Sequence, residues 1–169
     1  IKMNAGAYGW EFSDLLINID CFNLDSLEFE TLNKEDMNFT YRSSKNLDNK
    51  IILGATLSIE KGDMKLINKN LNKFNRIRKE SQPPAIYNAG SVFKNSENYY
   101  AGELIEQAGL KGYEIDGVSV SIKHANFFVA RKNAKASALY KLVQHVKEVV
   151  YDKFSINLEE EIIFLGEFT

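Results

Sequence analysis

Pro83-Pro84-Ala85-Ile86-Tyr87-Asn88-Ala89-Gly90-Ser91-Val92-Phe93-Lys94-Asn95 is the stretch on which the organisation of this chain turns. Proline has no amide hydrogen and biases its predecessor to extended geometry, so Pro83-Pro84 cannot continue a helix and marks a domain junction, placed at residue 84. Immediately beyond it, Asn88 to Ser91 read as a glycine-bearing loop.

Working outward, the two sides differ in pattern. Upstream, Leu15, Ile17, Ile19 and Cys21 fall on alternate positions, and Leu27, Phe29 and Thr31 repeat the alternation after Asp25-Ser26, predicting a hairpin. Asn33 to Met37 reads as a short helical turn capped by Asn33, with Glu35 and Asp36 in its first turn. Residues 41–49 read as polar loop, and Ile51 to Ile59 as a further strand. Met64, Ile67, Leu71, Phe74 and Ile77 step by three or four, the stripe of an amphipathic helix running to Lys79. Downstream of the prolines, a helix is expected over 101–108, closed by Gly109, with short strands at 118–120 and 126–130. Leu139, Leu142, Val143, Val146, Val149 and Val150 line a longer helix over 136–153, and Ile162 to Leu165 reads as a final strand buried on both sides. The expected class is α+β, in two parts, 1–84 and 85–169.

Composition narrows the function classes. With 169 residues and 44% hydrophobic content the chain can bury one substantial core or two modest ones. Its 21 basic and 23 acidic residues nearly cancel, so no global field favours nucleic acid or a membrane surface. A single cysteine, Cys21, excludes an internal disulfide framework, and with only His124 and His145 besides there is no clustered metal-ligand set. No apolar run reaches the ~20 residues that span a bilayer, so a soluble, cytoplasmic protein is expected; no obligate protein partner is evident in the sequence. Trp10 reads as a packing aromatic, Cys21 as a small core residue and His145 as an exposed helix residue.

Three segments carry more than fold: Asn4 to Gly9 (NAGAYG), Tyr41 to Ser44 (YRSS) and Asn88 to Asn95 (NAGSVFKN). Together with Ala101-Gly102-Glu103-Leu104-Ile105, Gly109-Leu110-Lys111-Gly112, Lys123-His124-Ala125-Asn126-Phe127 and Leu158-Glu159-Glu160-Glu161-Ile162, they occur in the order and approximate spacing of one family. On these residues the chain resembles the UDP-N-acetylenolpyruvoylglucosamine reductases (MurB) over essentially its whole length. The 48 residues between Arg42 and Ser91 leave little room for an extra substrate-clamping loop, so the resemblance is to the compact subtype. Because the chain opens on Ile1 and is within a motif by Asn4, it is expected to be the C-terminal part of such an enzyme, lacking an upstream flavin-binding segment.

The resemblance implies that NADPH reduces FAD, which passes hydride to UDP-N-acetylglucosamine enolpyruvate to give UDP-N-acetylmuramate, a peptidoglycan precursor. Residues 1–84 would then be the remainder of the second FAD-binding domain and 85–169 the substrate-binding domain. Ser91 matches the proton donor to the enolate, a role that suits a positioned weak acid; the bland alternative is a turn serine. Arg42 matches an arginine at the reacting centre, whose permanent charge stabilises an enolate; otherwise it is a solvated loop residue. Glu161 matches a carboxyl kept protonated by burial, or else is a strand-edge glutamate, and Glu160 stands where proline is usual. Ala5, Gly6 and Ala7 match the flavin pocket, where small side chains admit a ring or phosphate to the main chain; a tight turn explains the same residues. Lys94, Asn95 and His124 match positions facing the substrate diphosphate, with a polar loop as the plainer reading. A non-catalytic UDP-sugar-binding fragment is the rival.

Overall fold

The computed structural model describes residues 1–168. The chain is α+β, built of helices and antiparallel sheets, and divides into two compact units, Ile1–Asp63 and Met64–Thr169.

The first unit opens with the hairpin β1 (Gly6–Ala7) and β2 (Trp10–Glu11) and the single turn α1 (Phe12–Leu15). It continues through β3 (Leu16–Asn23), β4 (Phe29–Asn33), β5 (Phe39–Thr40), β6 (Ser43–Ser44) and β7 (Lys50–Leu57). β3 is the centre of a three-stranded antiparallel sheet in the order β4-β3-β7. The expected hairpin is present, with Ile19 opposite Leu32 and Cys21 opposite Glu30. Strict alternation fails at its start. A register shift against β7 between Leu16 and Asn18 is a bulge, which displaces the inward set by one residue; Leu16 is therefore buried, and Leu15 and Ile17 are exposed.

A 3-10 turn at Lys34–Met37 follows β4, with the Asn33 N–H donating to Asp36 Oδ2 at 3.1 Å. Residues 41–49, expected as polar loop, instead contain β6 and a second 3-10 turn, Lys45–Leu47. They contribute to the core: Leu47 is fully buried beside Met37, Leu16, Ile19 and Cys21, and the Ser44 hydroxyl donates to Lys2 O at 2.6 Å.

The second unit contains α2 (Met64–Ser81), α3 (Ala101–Gln107), β8 (Glu114–Ile115), β9 (Val118–Val120), β10 (Phe128–Ala130) and α4 (Ala136–Phe154). The three short strands form an antiparallel sheet in the order β10-β9-β8. Helix α2 has the expected extent, but none of its residues is buried. The second compact unit includes this helix, and the Lys123 ammonium donates to Lys79 O near its end.

Helix α4 supplies the main core surface. Leu142, Val143, Val146 and Val150 are completely buried, packed with Val92, Phe93, Ile105 and Val120, and each such side chain contributes ~1.5–3 kcal/mol by leaving water. Ser155, in the left-handed region at φ 56°, closes the helix by donating its N–H to Tyr151 O at 2.7 Å.

The final strand expected at Ile162 to Leu165 is not formed. The N–H groups of Glu161 and Ile162 both point to Val92 O, at 2.8 and 3.4 Å, so the pairing ends there. Ile163 and Leu165 are exposed, and Phe164 turns back against Tyr140 at a ring separation of 5.2 Å. Truncation of the α4 core should be costly: Leu142→Ala is expected to lower the unfolding free energy by about 2–5 kcal/mol in urea denaturation, and Tyr151→Ala on the exposed side of the same helix by far less.

Candidate functional site

Ser91 sits at the start of a short extended run. Gly90 precedes it at φ +85°, a backbone state that favours glycine, with its N–H on Asn88 Oδ1 at 3.1 Å. The run is then fixed by one residue, Asn126, whose side chain is buried. Its Nδ2 donates to Phe93 O at 2.8 Å and its Oδ1 accepts the Phe93 N–H at 2.9 Å, while its backbone carbonyl accepts the Val92 N–H at 2.9 Å. A second segment joins the same run: Lys94 N–H donates to Glu159 O and Glu161 N–H to Val92 O, both at 2.8 Å. Ser91 and half-buried Glu161 are thus placed at the same end of one small antiparallel ladder.

A cleft of about 320 Å³ opens beside this run, lined by Ser91, Asn95, Tyr100, Glu103, Lys123 and His124, among others. The structure therefore brings together three of the residues singled out from sequence: Ser91, Asn95 and His124. Asn95 also accepts the Ala101 N–H at 3.0 Å, satisfying a free amide at the start of α3. His124 is half-buried, with Nδ1 accepting the Asn126 N–H at 3.3 Å. Burial first, and then the charge of Lys111, pushes its pKa below the ordinary 6.5. The ring is neutral at pH 7, and since Nδ1 accepts, Nε2 carries the proton and is a donor. The imidazole packs edge-on to Phe127 at 4.9 Å and against Gly102, where an added Cβ would lie 3.4 Å from Cε1.

Lys94 and Glu161 do not line the cleft; the Lys94 ammonium is ion-paired with Glu159. Sequence reasoning missed Glu103 and Glu106, which put carboxylates into the lining. Their spacing held the signal, because with Leu104 and Ile105 inward residues three apart share the other face of α3. It also missed Asn126, which reads as one more residue of a strand.

Arg42, Ala5, Gly6 and Ala7 lie in the first unit, and they are linked. Arg42 has φ 54°, uncommon for a residue with a Cβ. Its Nη1 donates to Asn4 O at 3.4 Å and its Nη2 to Gly6 O at 3.3 Å, while the guanidinium lies 4.8 Å over the Tyr41 ring. Asn4 is almost completely buried, donating to Glu11 Oε2 at 2.6 Å and Thr40 O at 3.2 Å and accepting the Ser13 N–H at 3.0 Å. A Cβ on Gly6 would meet Trp10 O at 3.0 Å and Arg42 Nη1 at 3.1 Å, so a larger residue here would crowd the arginine where it closes on this segment. Ala5 and Ala7 are exposed, leaving small side chains open to a flat ring. Trp10 is not packed: it is 66% exposed, since the short β1–β2 hairpin offers its ring no core.

Fold and site together define a two-unit α+β protein whose second unit carries a polar cleft beside a serine held by a hydrogen-bonded run. Residues 82–165 match the family model for the C-terminal domain of UDP-N-acetylenolpyruvoylglucosamine reductase. Over 99% of its length the chain is 40% identical to the UDP-N-acetylenolpyruvoylglucosamine reductase of Caldanaerobacter subterraneus subsp. tengcongensis. It is 39% identical, also over 99%, to the protein of that name from Latilactobacillus sakei subsp. sakei. The crystal structure of UDP-N-acetylenolpyruvylglucosamine reductase (MurB) from Thermus caldophilus superposes with a TM-score of 0.83 at 31% identity, covering 95% of this chain and 56% of that one. The chain belongs to the UDP-N-acetylenolpyruvoylglucosamine reductase family, and it spans about half the length of the curated relatives it matches, 55% in the first two.

Asn126→Ala strands a buried donor and a buried acceptor on Phe93 at ~1–3 kcal/mol each, so a loss of about 2–6 kcal/mol in unfolding free energy is expected; Asn126→Asp, which keeps the acceptor but sets a carboxylate oxygen against Phe93 O, should destabilise as well. His124 makes stability pH-dependent in one direction. Its folded pKa lies below 6.5, so the unfolded chain takes up the proton first and stability falls as pH drops below about 6.5. Unfolding measured at neutral pH and at pH values below that point should show a smaller acid loss for His124→Gln than for the parent chain.

Proposed function

We propose that this chain carries the substrate side of a reductase that converts UDP-N-acetylglucosamine enolpyruvate to UDP-N-acetylmuramate at the expense of NADPH, by way of bound FAD, in the cytoplasm. The observation that supports it most is the ladder that sets Ser91 at the mouth of the polar cleft and Glu161 at the same end. In this reading residues 1–84 belong to the FAD-binding part and 85–169 bind substrate.

Ala5 and Ala7 would lie against the flavin, on a segment whose carbonyls Arg42 grips. A bound, reduced flavin would supply a hydride to one carbon of the enolpyruvyl double bond. That addition would leave the displaced electron pair as an enolate, and the chain's own residues would then deal with it. Ser91 Oγ gives its proton to the remaining carbon, a feasible step for a weak acid because the enolate is strongly basic. Arg42 and Glu161 would stabilise the negative charge, one by fixed charge and one as a neutral donor. Asn95 and the neutral Nε2–H of His124 are hydrogen-bonding groups for the diphosphate, with Lys94 as a nearby cation.

A second reading, a UDP-sugar-binding fragment without catalysis, draws support from the cleft lying wholly within the second unit, which has its own core. Visible flavin absorption in the purified 169-residue chain supports the first reading; a colourless chain that binds UDP-N-acetylglucosamine calorimetrically supports the second. In the intact enzyme, Ser91→Ala should leave flavin reduction by NADPH intact and slow product formation by ~10²–10⁴-fold, the usual worth of a positioned acid. Equal slowing of both half-reactions removes Ser91 from that role. Glu161→Gln should be milder, since an amide still donates.

A further inference from the structure

Glu160 and Lys147 form an ion pair that stands apart from every residue assigned above. The Lys147 ammonium donates to Glu160 Oε1 at 2.7 Å, and the two side chains are only 31% and 25% exposed. By contrast, the neighbouring partner of Lys94, Glu159, is 69% exposed. Solvent screens such an exposed pair to ~1 kcal/mol or less. The Lys147 pair is shielded and rooted in a rigid element, because Val146 and Val150 on the same helix are completely buried.

What it anchors is the segment that presents Glu161. That segment is joined to the Ser91 run by a single bridged position, Phe93 with Glu160, and the flanking backbone bonds Lys94 N–H to Glu159 O and Glu161 N–H to Val92 O. So short a ladder holds the segment weakly by itself, each hydrogen bond being worth only ~0.5–1.5 kcal/mol net; Leu158 and Ile162 pack on the core on either side, and the polar residues between them depend on the ion pair. Residues 162–165 add no strand to hold it. Proline, expected at position 160 from the family pattern, would restrict the backbone covalently; glutamate leaves it free to turn.

We propose that Lys147 is a positioning residue: through its ion pair with Glu160 it fixes the backbone that sets Glu161 relative to Ser91. This rests on the reading that Ser91 and Glu161 handle the enolate. Removing the pair should let residues 159–161 sample off-register positions, and misplacement of a catalytic group is expensive in rate even when ligand binding is preserved.

The experiment compares the intact enzyme with Lys147→Met, Glu160→Gln and the charge-reversed pair K147E/E160K, with Ser91→Ala as a reference. For each single variant the expected result is about tenfold slower product formation. KM for the UDP-sugar substrate should change by no more than about twofold, with flavin reduction by NADPH unaffected. Amide hydrogen exchange at residues 159–161 should speed up, while that of α4 stays slow. The reversed pair should recover both rate and protection. Unchanged rate and exchange in Lys147→Met overturn the proposal, as does a lowered melting temperature with full turnover, which would make the pair a stability device only. Should Ser91→Ala be fully active, the functional reading fails; faster exchange at 159–161 in Lys147→Met would still show the tether itself.

Discussion

The side-chain amide of Asn126 against the backbone of Phe93 is the contact on which the second unit depends. Val92 and Phe93 are buried among the residues of the main core, yet they belong to a run too short to lie inside a regular sheet, so their peptide groups need partners that no long strand provides. A carboxamide can give one hydrogen bond and take another in the spacing of a peptide, and Asn126 does both, at 2.8 and 2.9 Å. Leucine of similar volume would offer neither bond, and aspartate only the acceptor. With Phe93 held, the Glu159–Glu161 segment can pair with the run, His124 has the Asn126 N–H for its Nδ1, and Ser91 opens into the cleft.

The first unit solves the same problem in the same way. Asn4 is buried and its amide makes bonds to Glu11, Thr40 and Ser13, closing the loop that contains Ala5, Gly6 and Ala7. Arg42 then adds a charged clamp on the carbonyls of Asn4 and Gly6. In each unit a buried asparagine takes the place of a missing strand beside a glycine-bearing loop, with Ala5 and Ala7 exposed in the first and the half-buried Ser91 lining the cleft in the second. Buried polar groups are costly unless satisfied, so both loops are held to one geometry.

Legibility from sequence followed the physics of each signal. Long apolar periodicities were plain, and α2, α4 and the hairpin of β3 and β4 lie where the pattern put them. A bulge is invisible to a period of two, which is why Leu16 and not Ile17 is buried. Leu47, a single apolar residue in a polar stretch, gave no periodic signal of its burial, and Ile162 to Leu165 looked like a strand because apolarity does not reveal whether a partner exists. Among the candidate site residues, Ser91, Asn95 and His124 converge on one cleft, but sequence motifs say nothing about which asparagine is structural. Asn126 was hidden for that reason, and so was the ion pair of Lys94 with Glu159.

The cleft's electrostatics bear on how it can select a ligand. Glu103 and Glu106 place acidic groups in its lining, the Lys123 ammonium is occupied by Lys79 O, and His124 is held neutral by burial. A nucleotide-sugar diphosphate approaching this wall is not drawn by a strong positive field, so on the proposed function its recognition rests on donors at fixed positions, the His124 Nε2–H among them. Such donors gain from the low dielectric of a partly closed site and are largely insensitive to ionic strength, unlike exposed ion pairs. Carboxylates in the same lining accept from hydroxyls and repel additional phosphate, which favours a sugar nucleotide presented in one orientation over a more highly charged nucleotide. On the proposed function orientation matters most, since the hydroxyl of Ser91 would protonate one particular carbon, and could do so only if the far end of the substrate were fixed first.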